Sequence, residues 1–152
     1  ITTLDVPRNV VGAWTGTAVM TVTGTDEYGR PMVESSASGT SMTGVKAFKT
    51  ITSISFSANV TAATAGTGNV LGLPVHIPKA TTGYILKELQ DDAVATAGTV
   101  VAGLTKNTVS TATTADVRGT YTPNATPNGA LSFALIAVVA DDGYQGNPQF
   151  AG

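Results

Sequence analysis

No cysteine occurs anywhere in the 152-residue chain. That excludes disulfide staples, thiolate-bound zinc and thiol chemistry, and it leaves the redox compartment open. Charge is scarce as well. Asp, Glu, Lys and Arg make up 12% of the residues, about half of the roughly 25% usual in globular domains. The eight Lys and Arg are scattered singly and the formal net charge is −2. Nucleic-acid binding depends on clustered cations that release counterions, so no nucleic-acid partner is expected. The longest mostly apolar run, "ALSFALIAVVA" (Ala130 to Ala140), falls short of the roughly 20 residues a membrane helix needs, so no membrane role is expected either. No charged head followed by an apolar stretch opens the chain, the pattern of a signal peptide.

What is abundant is threonine, at 26 of 152 positions. Thr and Val are β-branched, stiff at χ1, and suit a pleated, half-buried surface better than a helix. With 17 Gly and 7 Pro as punctuation, the composition predicts an all-β chain. The length fits one domain, 1–152, large enough to bury a core without staples. A β-sandwich or jelly-roll-like barrel is expected, with a surface that faces other protein rather than water alone.

The patterning divides the chain into an N-terminal arm (1–16), a β core (17–140) and a C-terminal tail (141–152). Pro7 and the lack of a clean period make "ITTLDVPRNVVGAW" an extended arm suited to a neighbouring surface. Alternation in "TAVMTVTGT" predicts a first strand, and "DEYG" a hairpin turn with Gly29 at φ > 0 before the return strand "MVESS". "SASGTSMTGV" reads as a loop. "KAFKTITSISFSANV" carries Phe48, Ile54, Phe56, Ala58 and Val60 at period two and predicts a long half-buried strand. "ATAGTGN" reads as a turn, and Pro74 in "VLGLPVHIP" as an edge or bend. "GYILKELQDD" is expected as a strand ending at the Asp91–Asp92 turn. Two or three short strands follow between Ala97 and Asn124, then a broad turn at "TPNATPNG". "LSFALIAVVA", apolar on both faces, predicts a central strand covered on each side.

The chemistry-bearing residues are few. Asp26, Glu27 and Glu34 cluster within "TGTDEYGRPMVE", but general acid–base work needs a desolvated carboxyl group, and acids at a hairpin tip are expected to stay wet. Asp26 is read as a turn residue, and the stretch lacks the acid ladder of a calcium loop. The doublets Asp91–Asp92 and Asp141–Asp142 read as polar turns. His76, the single histidine, has no Cys to complete a zinc site and no G-x-S-x-G nucleophile elbow, so it is expected to be a half-buried structural residue. A hydrolase pairing Asp26 or Asp91 with His76 is the weakest option. Trp14 is either a carbohydrate-stacking ring or an anchor buried against protein, the second being favoured. Neither "GTGNVLG" nor "GTSMTG" has phosphate-loop spacing. Asn59-Val60-Thr61 matches the glycosylation acceptor pattern. No catalytic residue, cofactor or metal is assigned.

The phrases "VTGTDEYGRPMVE", "GVKAFKTITSISF", "GTGNVLGLPV", "ADVRGTYTPN" and "YQGNPQFAG", in that order, resemble small structural proteins of tailed bacteriophages, some of them head decoration (cement) proteins. The resemblance runs from about Pro7 to Gly152 and contains no catalytic motif. It implies a β-rich subunit that acts without catalysis. Such a subunit binds the major capsid protein on the outer surface of the virion, self-associates as a dimer or trimer, and stabilises the shell. The alternatives are a carbohydrate- or receptor-binding β-sandwich module and a tail or baseplate structural protein.

Overall fold

The structure, a computed structural model, describes residues 2–77, 85–103 and 118–138. The chain is all-β. Its strands in chain order are β1 (Thr2–Ala18), β2 (Met20–Thr25), β3 (Pro31–Ser35), β4 (Gly39–Thr43), β5 (Phe48–Phe56), β6 (Thr61–Gly72), β7 (Ile85–Gln90), β8 (Ala93–Val94), β9 (Thr99–Ala102), β10 (Gly119–Thr122) and β11 (Phe133–Ala137). Eight of them form one antiparallel sheet in the order β3-β2-β5-β1-β6-β10-β9, with β4 also paired to β1. This sheet curls into a half-barrel, and β11-β7-β8 forms a small second sheet.

The segment expected as an N-terminal arm is extended, but it is the central strand of the sheet. β1 pairs with β5 through its first half, with β4 through its second, and with β6 between Arg8 and Thr15. Its core contribution was hidden because Val10, Trp14 and Ala18 are buried at intervals of four, with Gly12 between them. Pro7 falls where the register with β5 shifts, between Thr3 and Arg8, so its missing N–H breaks no regular ladder. The expected C-terminal tail, with Asp141 and Asp142, lies outside the described residues.

Val10, Trp14, Met20, Val22, Met32, Met42 and Phe48 form the half-barrel's core, with Ile51, Phe56 and Val60 packed on it. Phe56 meets Trp14 edge to face, ring centroids 5.1 Å apart, a preferred arrangement for aromatic quadrupoles. A second cluster of Leu73, Ile77 and Tyr121 packs against Leu135 and Ala137 of β11 and joins the small sheet to the large one.

Three further expectations are corrected. "SASGTSMTGV" contains β4, and "ATAGTGN" lies within β6. Both are strands of small residues whose exposed side chains leave no hydrophobic period to read. The strand at 131–140 is not central and covered. Phe133–Ala137 is an edge of the small sheet, and Ala134, Ile136 and Val138 are exposed. The 23–34 hairpin and the strand ending at Asp91–Asp92 form as expected.

Phe48 is wholly buried. Phe48→Ala is expected to lower unfolding stability by about 3–5 kcal/mol, the usual cost of emptying an aromatic core site. Denaturant unfolding checks this, with a lower midpoint and an unchanged slope.

Candidate functional site

The hairpin that gathers the acids is built as a turn, yet one of its carboxylates is not wet. Asp26 is 1% exposed. Its Oδ1 accepts from Tyr28 N (2.8 Å) and Arg30 N (2.9 Å), closing the turn in which Gly29 takes φ +78°. Its Oδ2 accepts from the Arg118 guanidinium at 2.6 Å, a pair that is almost solvent-free. The Arg118 guanidinium carbon also lies 4.9 Å from the centre of the Tyr28 ring. Tyr28 Oη donates to Pro74 O, and Arg118 O accepts from Ile77 N. The expectation of solvated turn acids therefore fails for Asp26, because a cation 92 positions away along the chain folds onto it. Glu27 is exposed.

Glu34 is also fully buried, in an anchor of its own. Its carboxylate accepts from Val45 N at 2.6 Å and from Lys46 N at 3.3 Å. Gly44 N donates to Val10 O, and Asn9 Nδ2 donates to Gly44 O while Asn9 Oδ1 accepts from Val70 N. A Cβ on Gly44 would lie 2.7 Å from Glu34 Oε2, so only glycine allows the carboxylate this close to the backbone. Lys46 Nζ donates to Val33 O. Asn9 and Glu34 thus lock the 44–46 bend onto β1, β3 and β6.

A third anchor joins the sheets. Glu88 Oε2 accepts from Gly98 N (2.6 Å) and from Tyr121 Oη (2.7 Å). Burial, and then the hydrogen bond and charge of Glu88, push the Tyr121 phenol well above its ordinary value of 10.0. Asp91 and Asp92 take φ +50° and +63° in a two-residue hairpin between β7 and β8, the conformation of a type I′ turn. Asp91 Oδ1 accepts from Ser132 N and Oγ, and the Ser132 N–H bond is the first cause holding this carboxyl below its usual range.

The carboxylates singled out by sequence are therefore kept apart. Asp26, Glu34 and Asp91 each hold backbone or a cation, and no three His, Asp or Glu side chains among the described residues gather closely enough for a metal ion. His76 is buried, outside any strand. Trp14 is 5% exposed with Nε1 donating to Gly39 O, an anchor and not a stacking platform. Sequence reasoning missed Arg118 and Asn9. Nothing local marks either, since their partners lie far away in the chain.

Two surfaces remain. The outer face of the small sheet leaves Leu86 (62%), Val94 (70%), Ile136 (45%) and Val138 (45%) exposed. The register places Ala134 beside Leu89, and Leu89 beside Val94, on this face. Across β4, β1 and β6, Ser41, Thr43, Val11, Ala13, Thr64 and Gly66 line a shallow open groove of small side chains. Compared with known proteins, the chain matches no family model, no curated protein and no solved structure.

Two outcomes follow from the anchors. Arg118→Met strands a buried carboxylate and is expected to cost about 3–5 kcal/mol, whereas Asp26→Asn with Arg118→Met recovers part of the loss by removing the charge; chemical denaturation of the three variants checks this. For Tyr121, the folded-state value lies above the unfolded one. Its contribution is therefore whole below pH 10 and is lost as pH rises past 10. Thermal melts of wild type and Tyr121→Phe from pH 8 to 12 are expected to show a shallower alkaline decline in the variant.

Proposed function

We propose that this protein is a non-enzymatic virion component that binds the major capsid protein on the outer surface of a tailed-phage head and stabilises the shell. Self-association accompanies binding. The observation that carries the reading is the small sheet, where Leu86 of β7, Val94 of β8, Ile136 of β11 and the adjoining Val138 are exposed, with Lys87 paired to Ile136. Four large aliphatic side chains left in water on one small sheet mark a contact surface. β11 also presents unpaired backbone groups at its outer edge among the described residues, which suits pairing with an extended segment of another chain. The phrase-level resemblance to phage structural proteins supplies the partner. Many copies on one lattice make modest individual contacts sufficient.

The carbohydrate alternative loses its principal ring with Trp14 buried, and Tyr28 is the one exposed aromatic among the described residues. The tail or baseplate alternative draws on the same exposed face and edge and differs in the partner that covers them.

Co-sedimentation with shells assembled from the capsid protein of the same phage tests the reading. Wild-type protein is expected to pellet with shells, and Ile136→Asp to bind at least tenfold more weakly at unchanged melting temperature. Wild-type protein that stays in the supernatant at every ratio sinks the proposal.

A further inference from the structure

β6 has one edge that nothing among the described residues covers. It pairs with β1 from Thr61 to Leu71, but β10 reaches it only at Leu71 and Gly72. The direction of its backbone groups follows from its neighbours. Val10 O accepts from Gly44 N, on the β4 side of β1. By the alternation of an antiparallel ladder, Val11 and Ala13 then face β6, where they oppose Gly66 and Thr64. Ala65 and Thr67, with Ala63 next in the alternation, therefore turn their N–H and C=O groups outward.

This edge carries none of the usual protection. "TAATAGTG" (Thr61 to Gly68) contains no charge, no proline and no side chain larger than threonine, whereas natural edges are blunted by lysine, proline or bulges. The irregularities present, Ala62 at φ +50° and a register shift near Gly68 to Val70, stand at its two ends and leave 63–67 between them. The surroundings are equally bare. Asn9 to Thr25, Ser35 to Val45 and Thr50 to Val75 contain no Asp, Glu, Lys or Arg. These stretches form β2, β4, β6 and most of β1 and β5, all neighbours in one sheet, and 25 of their residues are exposed. Stable interfaces are depleted of charge at their centre.

We propose that two copies of this chain pair through β6, antiparallel across a two-fold axis at Ala65. This names the partner and surface for the self-association in the reading above, and it does not depend on capsid binding. The register is self-consistent. Ala65 opposes Ala65 of the second copy, and Ala63 opposes Thr67, so every outward-facing residue meets another and about six backbone hydrogen bonds form. A second copy is favoured over an unrelated strand by charge. A foreign charge set against Thr, Ala and Gly finds no counter-ion and is costly to bury, whereas a two-fold presents each neutral face with its own image.

Sedimentation equilibrium over a wide concentration range tests the pairing, together with amide hydrogen exchange. The expected result is a species of twice 15.3 kDa, with the Ala65 and Thr67 amides protected when concentrated and exchanging when dilute. Ala65→Pro removes an outward N–H and no bond to β1, and Thr67→Lys adds a charge at the edge. Each is expected to raise the dimer dissociation constant at least tenfold while the diluted monomer keeps its circular dichroism spectrum. If Ala65→Pro fails to fold, Thr67→Lys decides. A wild-type chain that remains monomeric throughout, forms trimers, or forms dimers indifferent to Thr67→Lys overturns the proposal. Ile136→Asp serves as the control, since loss of shell binding with dimerisation intact separates the two claims.

Discussion

The Asp26–Arg118 pair is the constraint that positions the later part of the chain on the half-barrel formed by the first six strands. It joins the tip of the β2–β3 hairpin to the start of β10 across 92 positions of sequence. Replacing such a pair by apolar residues is often neutral or stabilising, but losing one member is costly because the other is left charged and buried. Its effect is therefore less to add stability than to fix one arrangement. Arg118 O holds Ile77 N, and Gly119 O holds Leu73 N, so the chain leaving β6 docks with β10. β10 in turn carries Tyr121 to Glu88 on β7. The orientation of the small sheet, and of the aliphatic face it exposes, thus depends on a salt bridge at the far end of β10.

Several of the few acids are used as internal fasteners. Asp26, Glu34 and Glu88 accept backbone N–H groups or a cation from distant segments. A buried carboxylate with several donors is a strong local organiser, because charge-assisted hydrogen bonds are shorter and stronger than neutral ones. What remains outside is a surface of Thr, Ser, Ala and Gly over much of the half-barrel and a cluster of aliphatic side chains on the small sheet. In the proposed reading these two surfaces divide the work, the aliphatic face meeting the shell and the neutral β6 edge meeting a second copy.

The parts legible in sequence were those where local chemistry decides. Gly29 after Asp26 announces the hairpin, and the Asp91–Asp92 doublet marks the two-residue turn into β8. The all-β class followed from threonine, valine and glycine content. β6 was obscured because a strand of small residues exposed on both faces shows no period-two signal. β4 was obscured because Met42 is its single buried side chain, and β1 because Val10, Trp14 and Ala18 are buried at intervals of four. The apolar run at 131–140 misled in the opposite direction. It has the composition of a strand covered on both faces, yet among the described residues only the side bearing Leu135 and Ala137 is covered. The anchors could not be read either, since Asn9, Glu34 and Arg118 acquire meaning only when segments far apart in the chain meet.

The claim beneath all of this is that the protein works through exposed faces that an assembly covers. A reconstruction of the intact particle at side-chain resolution tests it most directly. The expected result is density for this chain on the outer surface of a capsid lattice, with Leu86 and Ile136 against the capsid protein and β6 in contact with β6 of a second copy. A particle that lacks the chain, or holds it with both faces open to solvent, contradicts the claim.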